Sequence, residues 1–141
     1  MDSDLEKIAI FINKHHVMSL ATTYDDELSV CSLFYVYNES KRYFIVASSE
    51  KTTHIKHIKE RSKIAGNILL ETDRIGEIKG LQFSGKFLEL EHNNLRLEYF
   101  KKFPYALALN PKLWKIEVNY FKMTDNSLGF GKKIIWKEAS L

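Results

Sequence analysis

Seven consecutive residues, Ser48-Ser-Glu-Lys-Thr-Thr-His54, concentrate the polar chemistry of this chain. They lie where a β-prone run feeds a helical one. A helix start offers free N–H groups and about half a positive charge. Ser48, Ser49 and Thr52 add hydroxyl donors, Lys51 a fixed cation and His54 a ring donor. That set suits a phosphate. It equally suits a plain Ser cap, with Ser48 and Ser49 opening a basic, solvated helix. The residues alone leave both readings open.

Two further stretches invite the same question. Lys51, His54, Lys56, His57 and Lys59 make the 49–60 helix basic, with Ile55 and Ile58 as its core anchors, as in a nucleic-acid reader. Glu50 and Glu60 bracket it and no aromatic interleaves, which argues against nucleic acid. In Thr124-Asp-Asn-Ser-Leu-Gly-Phe-Gly-Lys-Lys133, two glycines allow close backbone approach to a ligand. Lys132 and Lys133 point to opposite faces of a strand, and Phe130 or Trp136 is placed to cover a planar ring. A hairpin turn with an exposed lysine fits equally. This G-x-G enters a strand rather than a helix, so it is not a dinucleotide fingerprint. His15 and His16 sit at a helix-to-strand junction and His92 in a loop. No His pair has metal-ligand spacing with a nearby acid, so no metal site is expected. Cys31, on a strand apolar on both faces, reads as buried and inert. No Ser/His/Asp or Cys/His constellation stands out, and no catalytic residue is assigned.

The elements that position these residues follow from periodicity. Ser3 and Glu6 form an S-x-x-E capping box, and Leu5, Ile8, Phe11 and Ile12 share a helical face to about Lys14. Strands follow at 17–22, 28–37 and 42–47, the first two joined by a turn at 24–27. Along 28–37 both faces are apolar, so both need cover. In a small barrel one face looks inward, and the other meets a helix, a ligand or a second subunit. After the 49–60 helix come strands at 62–71 and 77–91, the second expected to bulge near Gly85–Leu88. A helix at 93–102 and an irregular crossover at 104–111 lead to strands at 113–122 and 128–137. Trp114, Ile116, Val118 and Tyr120 are expected on one face of the former. The order α-β-β-β-α-β-β-α-β-β lacks regular βα alternation. It argues for an α+β antiparallel barrel of six to seven strands with three peripheral helices.

Composition bounds the rest. A chain of 141 residues fits one domain, 1–141. The 45% apolar and 28% charged residues are globular values that argue against disorder. Aromatics at 13% supply core, interface or a stacking site. A net charge of +3 is too weak to argue nucleic acid and suits a protein holding a phosphorylated anion. A single cysteine precludes an internal disulfide and suits a reducing compartment. The acidic start lacks signal-peptide character, and no apolar run reaches 18 residues. A cytoplasmic, membrane-free protein is expected.

With its elements ordered this way and a strand ending in Ser-Ser-x-Lys before a helix, the chain resembles the split-barrel flavoproteins related to pyridoxamine-phosphate oxidase. It is most similar to their YhbP-like branch. Glu50-Lys-Thr-Thr-His54, Gly80-Leu-Gln-Phe-Ser-Gly85 and Lys122-Met-Thr-Asp-Asn-Ser-Leu-Gly-Phe-Gly-Lys-Lys-Ile-Ile-Trp136 carry the likeness. The resemblance implies a homodimer with flavin mononucleotide (FMN) at the subunit interface and an oxidoreductase of unspecified substrate. A non-catalytic flavin or haem module on the same fold is the alternative. Carried over residue by residue, Cys31, Ser32 and Leu33 pass along the flavin ring, and Val46, Ala47, Ser48 and Ser49 with Lys51, Thr52 and His54 hold its phosphate. Gln82 reaches the flavin edge, and Lys132 and Lys133 approach from the other subunit. Two departures argue against pyridoxamine-phosphate oxidation. There is no basic residue between Leu28 and Asn38 where the oxidases carry an arginine, and their arginine-containing C-terminal segment is missing.

Overall fold

A computed structural model describes residues 3–91 and 93–139, so His92 lies outside the described residues. Helix α1 (Ser3–Asn13) buries Ile8, Phe11 and Ile12, the face its spacing marks out. Tyr35 fixes it by donating its hydroxyl to the Ile12 carbonyl at 2.6 Å. Strands β1 (Val17–Tyr24) and β2 (Glu27–Asn38) form a hairpin. Its two-residue turn places Asp25 and Asp26 at φ of 51° and 64°, the left-handed pair whose twist matches the flanking strands. Strand β3 (Tyr43–Ala47), helix α2 (Thr53–Glu60), β4 (Lys63–Leu69) and β5 (Lys79–Glu89) follow. Helix α3 (Asn93–Lys102) and a 3₁₀ crossover (Pro104–Leu109) lead to β6 (Leu113–Asp125) and β7 (Lys133–Lys137). All pairings are antiparallel, in the order β3-β2-β1-β4-β5-β6-β7, and β3 also pairs with β6. Six strands thus close on themselves and β7 extends from the edge.

The closure depends on an irregularity in β6. Its first part pairs with β3 over Leu113–Glu117, and its second with β7 over Tyr120–Thr124. Between them Ser84 faces Tyr120 and Gly85 faces Val118, so Asn119 is an extra residue. The bulge therefore sits on β6, not on β5 where it was expected. Strand β5 keeps an unbroken alternation, with Leu81, Phe83, Gly85 and Phe87 all buried. Strand β6 changes phase instead: Trp114, Ile116 and Val118 face the core, then Phe121 and Met123. Tyr120 is consequently on the outer face. Gly85 is required opposite the bulge, because a Cβ there would lie 2.0 Å from the Glu117 carbonyl oxygen.

Aromatic rings fill the barrel, with Tyr35, Phe44, Phe83, Phe87, Trp114 and Phe121 essentially inaccessible. A smaller cluster of Ile45, Tyr99 and Leu113 lies beneath α3 and the crossover. Two further expectations are corrected. Gly129 and Gly131, at φ of 136° and 72°, belong to a turn after the short 3₁₀ segment Asn126–Leu128, and β7 starts only at Lys133. His54 and His57 are buried rather than solvated. That leaves α2 a far less basic surface than its composition suggests. No helix among the described residues is long and apolar enough to cross a membrane.

Candidate functional site

Strand β3 ends at Ala47, and the chain turns through Ser48–Thr52 into α2. Thr52, rather than Ser48 or Ser49, caps the helix: its hydroxyl accepts from the Ile55 N–H at 3.4 Å and donates to the Ser49 carbonyl at 2.8 Å. His54 Nε2 lies 2.5 Å from the Ser48 hydroxyl and 3.3 Å from that of Thr52. Burial, reinforced by nearby His57, lowers the His54 pKa below the ordinary 6.5. Trp114 donates its indole N–H to the Ser48 carbonyl at 2.9 Å, which pins the turn to β6. Glu50 is taken by Lys59 and Lys112, at 3.1 and 2.5 Å, and those two cations hold its carboxyl below the usual range. Lys51 is exposed at the turn. His57 joins α2 to the hairpin, with Nδ1 2.9 Å from the Thr22 hydroxyl and Nε2 3.5 Å from Glu27.

A second feature lies on the outer face of the sheet. Residues directly opposite in antiparallel strands share a face, so the registers define rows across β2, β1, β4, β5 and β6. One row reads Val30, Ala21, Ala65, Ser84, Tyr120. The next reads Ser32, Ser19, Asn67, Gln82, Lys122. Three small residues between two large ones leave a trough of about 440 Å³, lined also by Ser19, Asn67 and Gln82. Its three central strands span about 10 Å at the usual spacing, the width of a fused three-ring system. The floor is weakly polar, and one long edge is lined by the Ser19 hydroxyl and the Asn67 and Gln82 amides, with Lys122 next to Gln82 in register. A flat heterocycle with hydrogen-bonding groups along one edge fits that pattern.

Strand β2 was expected to be covered on both faces; its inner face is buried and much of its outer face is open in the single chain. Leu33 and Tyr35 are buried inward. At its far end the outer face is covered only in part: Val36 packs into the α3 cluster, and Phe34 meets Phe103 at 5.5 Å between centroids but stays 57% exposed. At its near end Leu28 is 85% exposed and Val30 75% exposed, beside the trough.

The residues singled out in the sequence fall into three places. Gln82 and Ser32 belong to the polar row. Cys31 and Leu33 point inward from the same strand, and burial raises the Cys31 pKa. Val46 is buried and Ala47 ends β3, Ser48, Ser49, Lys51 and Thr52 lie in the β3–α2 turn, and His54 is in the first turn of α2. Lys133, opposite Thr124, starts β7, while Lys132 ends the preceding loop; both are exposed. Sequence reasoning missed Ser19, Ala21, Ala65, Asn67, Tyr120 and Lys122. The signal was present as small or amide residues at alternate positions of β1 and β4. Among the described residues no three His, Cys, Asp or Glu side chains converge as a metal site.

No family model matches the chain. Among solved structures it superposes on a heme binding protein from Mycobacterium smegmatis with a TM-score of 0.79 and 13% identity, covering 97% of this chain and 59% of that one. It superposes on a putative pyridoxamine 5'-phosphate oxidase from Listeria innocua at 0.70 and 12%, covering 84% and 96%. A FAD-binding protein from Mesorhizobium loti gives 0.68 and 14%, covering 86% and 90%. These likenesses show the split-barrel fold. Sequence relatives are nearer. The UPF0306 protein of Klebsiella pneumoniae strain 342 is 37% identical over 136 residues, covering 94% of this chain and 92% of its own. UPF0306 protein YhbP of Escherichia fergusonii is 34% identical over 139 residues, covering 96% and 95%. At that identity, sustained over nearly the full length, the chain belongs to the UPF0306 (YhbP) family.

Proposed function

We propose that the protein is a homodimer that holds FMN on the outer face of its sheet and serves as an oxidoreductase. One observation carries the reading: a row of mostly apolar residues, ending in uncovered Val30 beside Leu28, runs next to a polar row across five strands. The apolar row takes the flat face of the ring. The polar row takes its hydrogen-bonding edge, with Lys122 closing one end, where a cation stabilises negative charge on a reduced ring. Bound FMN would supply the hydride or electron transfer, and the chain supplies orientation and electrostatics. The phosphate belongs at Ser48–His54. Strand β3 leaves β2 just past the Tyr35–Val46 pair, and Ser32 of the polar row lies three residues from Tyr35 on the same strand. A second copy seated on Leu28 and Val30 covers the ring and brings Lys132 and Lys133 towards it. A cytoplasmic setting goes with this reading. The FAD-binding neighbour on the same fold supports it.

A titration of the purified protein with FMN and with riboflavin, followed by absorbance, tests the proposal. Saturable binding with FMN the tighter ligand is expected. Absence of binding to either would refute it. A non-catalytic haem module is the second reading, favoured by Tyr120 at the trough wall, since tyrosine is an axial haem ligand in some proteins. A haem titration with a Soret shift that Tyr120→Phe abolishes would select it.

A further inference from the structure

A separate groove lies between α1 and the far end of β6. It measures about 240 Å³ and is floored by Phe11 and Met123, with Ile10 and Leu128 as its walls. Ile10 is 58% exposed and Leu128 55% exposed, at the edge of the face that α1 buries through Ile8, Phe11 and Ile12. Lys7, Ile10 and Phe11 share one side of α1 at i, i+3 and i+4 spacing, and Lys14 follows directly after its last residue. Lys79 stands on the opposite rim. The only acid in the lining is Asp125, which is 5% exposed and fully engaged. Its Oδ1 accepts from the Ser127 N–H at 3.0 Å and the Ser127 hydroxyl at 2.5 Å, and its Oδ2 meets Lys79 at 3.4 Å. Lys7 and Lys14 pair with no carboxylate among the described residues. Neighbouring His15 lies with its ring tilted at 46° and 4.5 Å from that of Phe11. Its pKa is lowered first by burial and then by His16, Lys14 and Lys79. The groove is therefore an apolar slot with unneutralised positive charge at its mouth.

We infer that this groove binds an aliphatic carboxylate, with the chain along Ile10, Phe11, Met123 and Leu128 and the carboxylate held by Lys7 and Lys14. Charge complementarity selects an anion, and the apolar walls select a chain behind it. The small volume admits one slender chain rather than the broad apolar surface a protein partner needs. The site is distinct from the outer-face trough and stands whether or not that trough takes flavin.

The full chain, labelled with carbon-13 at its methionine methyls, is titrated with octanoate, octan-1-ol and acetate. Both methionines are buried in the core, but only Met123 reaches the floor of the groove. Octanoate should shift the Met123 methyl saturably and leave Met18 in place. Octan-1-ol should bind at least about tenfold more weakly, since it lacks the charge-assisted contact, and acetate should not bind. The double variant K7Q/K14Q, altered only at exposed positions, should weaken octanoate about tenfold or more and leave octan-1-ol unchanged. Equal affinity for octanoate and octan-1-ol would overturn the inference. So would octanoate binding that survives the double variant, a response at Met18 alone, or a Met123 signal unresponsive because a second copy covers the groove.

Discussion

Val30→Glu separates the monomer fold from the proposed dimer. Val30 is 75% exposed in the single chain, on the outer face of β2 opposite Ala21. A change there should alter monomer stability by no more than about 0.5 kcal/mol. In a two-fold dimer built on this face the same side chain is buried twice. Burying a valine contributes about 1.5–3 kcal/mol, so losing two removes about 3–6 kcal/mol before the cost of desolvating two carboxylates. At 1.4 kcal/mol per tenfold, the dimer dissociation constant should rise about a hundredfold to ten-thousandfold. Sedimentation velocity over a dilution series reads this directly, with far-UV circular dichroism checking the fold. A dimer that persists with unchanged affinity would refute placing the interface here. Loss of structure at concentrations where the parent chain is monomeric would refute the placement of Val30 outside the core.

Other consequences follow from single contacts. Gly85→Ala should destabilise by about 1–3 kcal/mol or more in urea unfolding, because the new methyl meets Glu117 backbone that no rotamer change can clear. Gly76→Ala, with nothing within 4 Å, should be neutral or slightly stabilising and serves as its control. The lowered pKa of His54 means that the unfolded chain takes up that proton first. Its contribution is complete above pH 6.5 and declines as the pH falls through 6.5 towards the lower folded-state value. Urea midpoints on either side of pH 6.5 should show a decline that His54→Gln reduces; an unchanged decline would discount the burial of this ring. Lys51→Ala should weaken FMN more than riboflavin in parallel titrations, and equal losses would remove Lys51 from the phosphate site.

Much of the fold was legible because local chemistry and long-range pairing agree. The apolar stripe of α1 and the Asp25–Asp26 turn each have one structural solution, whereas the two-sided pattern of β2 fixed its inner face only. The β6 bulge was also written in the chain, as the jump from Trp114, Ile116 and Val118 to Phe121 and Met123. Reading Tyr120 as a continuation of the first phase concealed it. What could not be read depends on partners distant in sequence. His57 looks like part of a basic surface until the fold brings Thr22, 35 residues away, to its ring nitrogen. The trough is hidden for a related reason. Ser19, Ala21, Ala65 and Asn67 have the composition of a solvent-facing strand surface, and only the registers line them up. The polar cluster at Ser48–His54 was conspicuous, yet its cap is Thr52, because Ser48 is drawn towards the buried imidazole instead.

The central claim is that the outer-face trough becomes a flavin site when two copies meet. Equilibrium dialysis of FMN against the parent chain and against Val30→Glu, both at a concentration where the parent is dimeric, tests it most directly. The account predicts one FMN per chain for the parent and a large loss of affinity for the monomeric variant. Equal FMN affinity in a monomeric variant, or no FMN on the parent dimer, would contradict it.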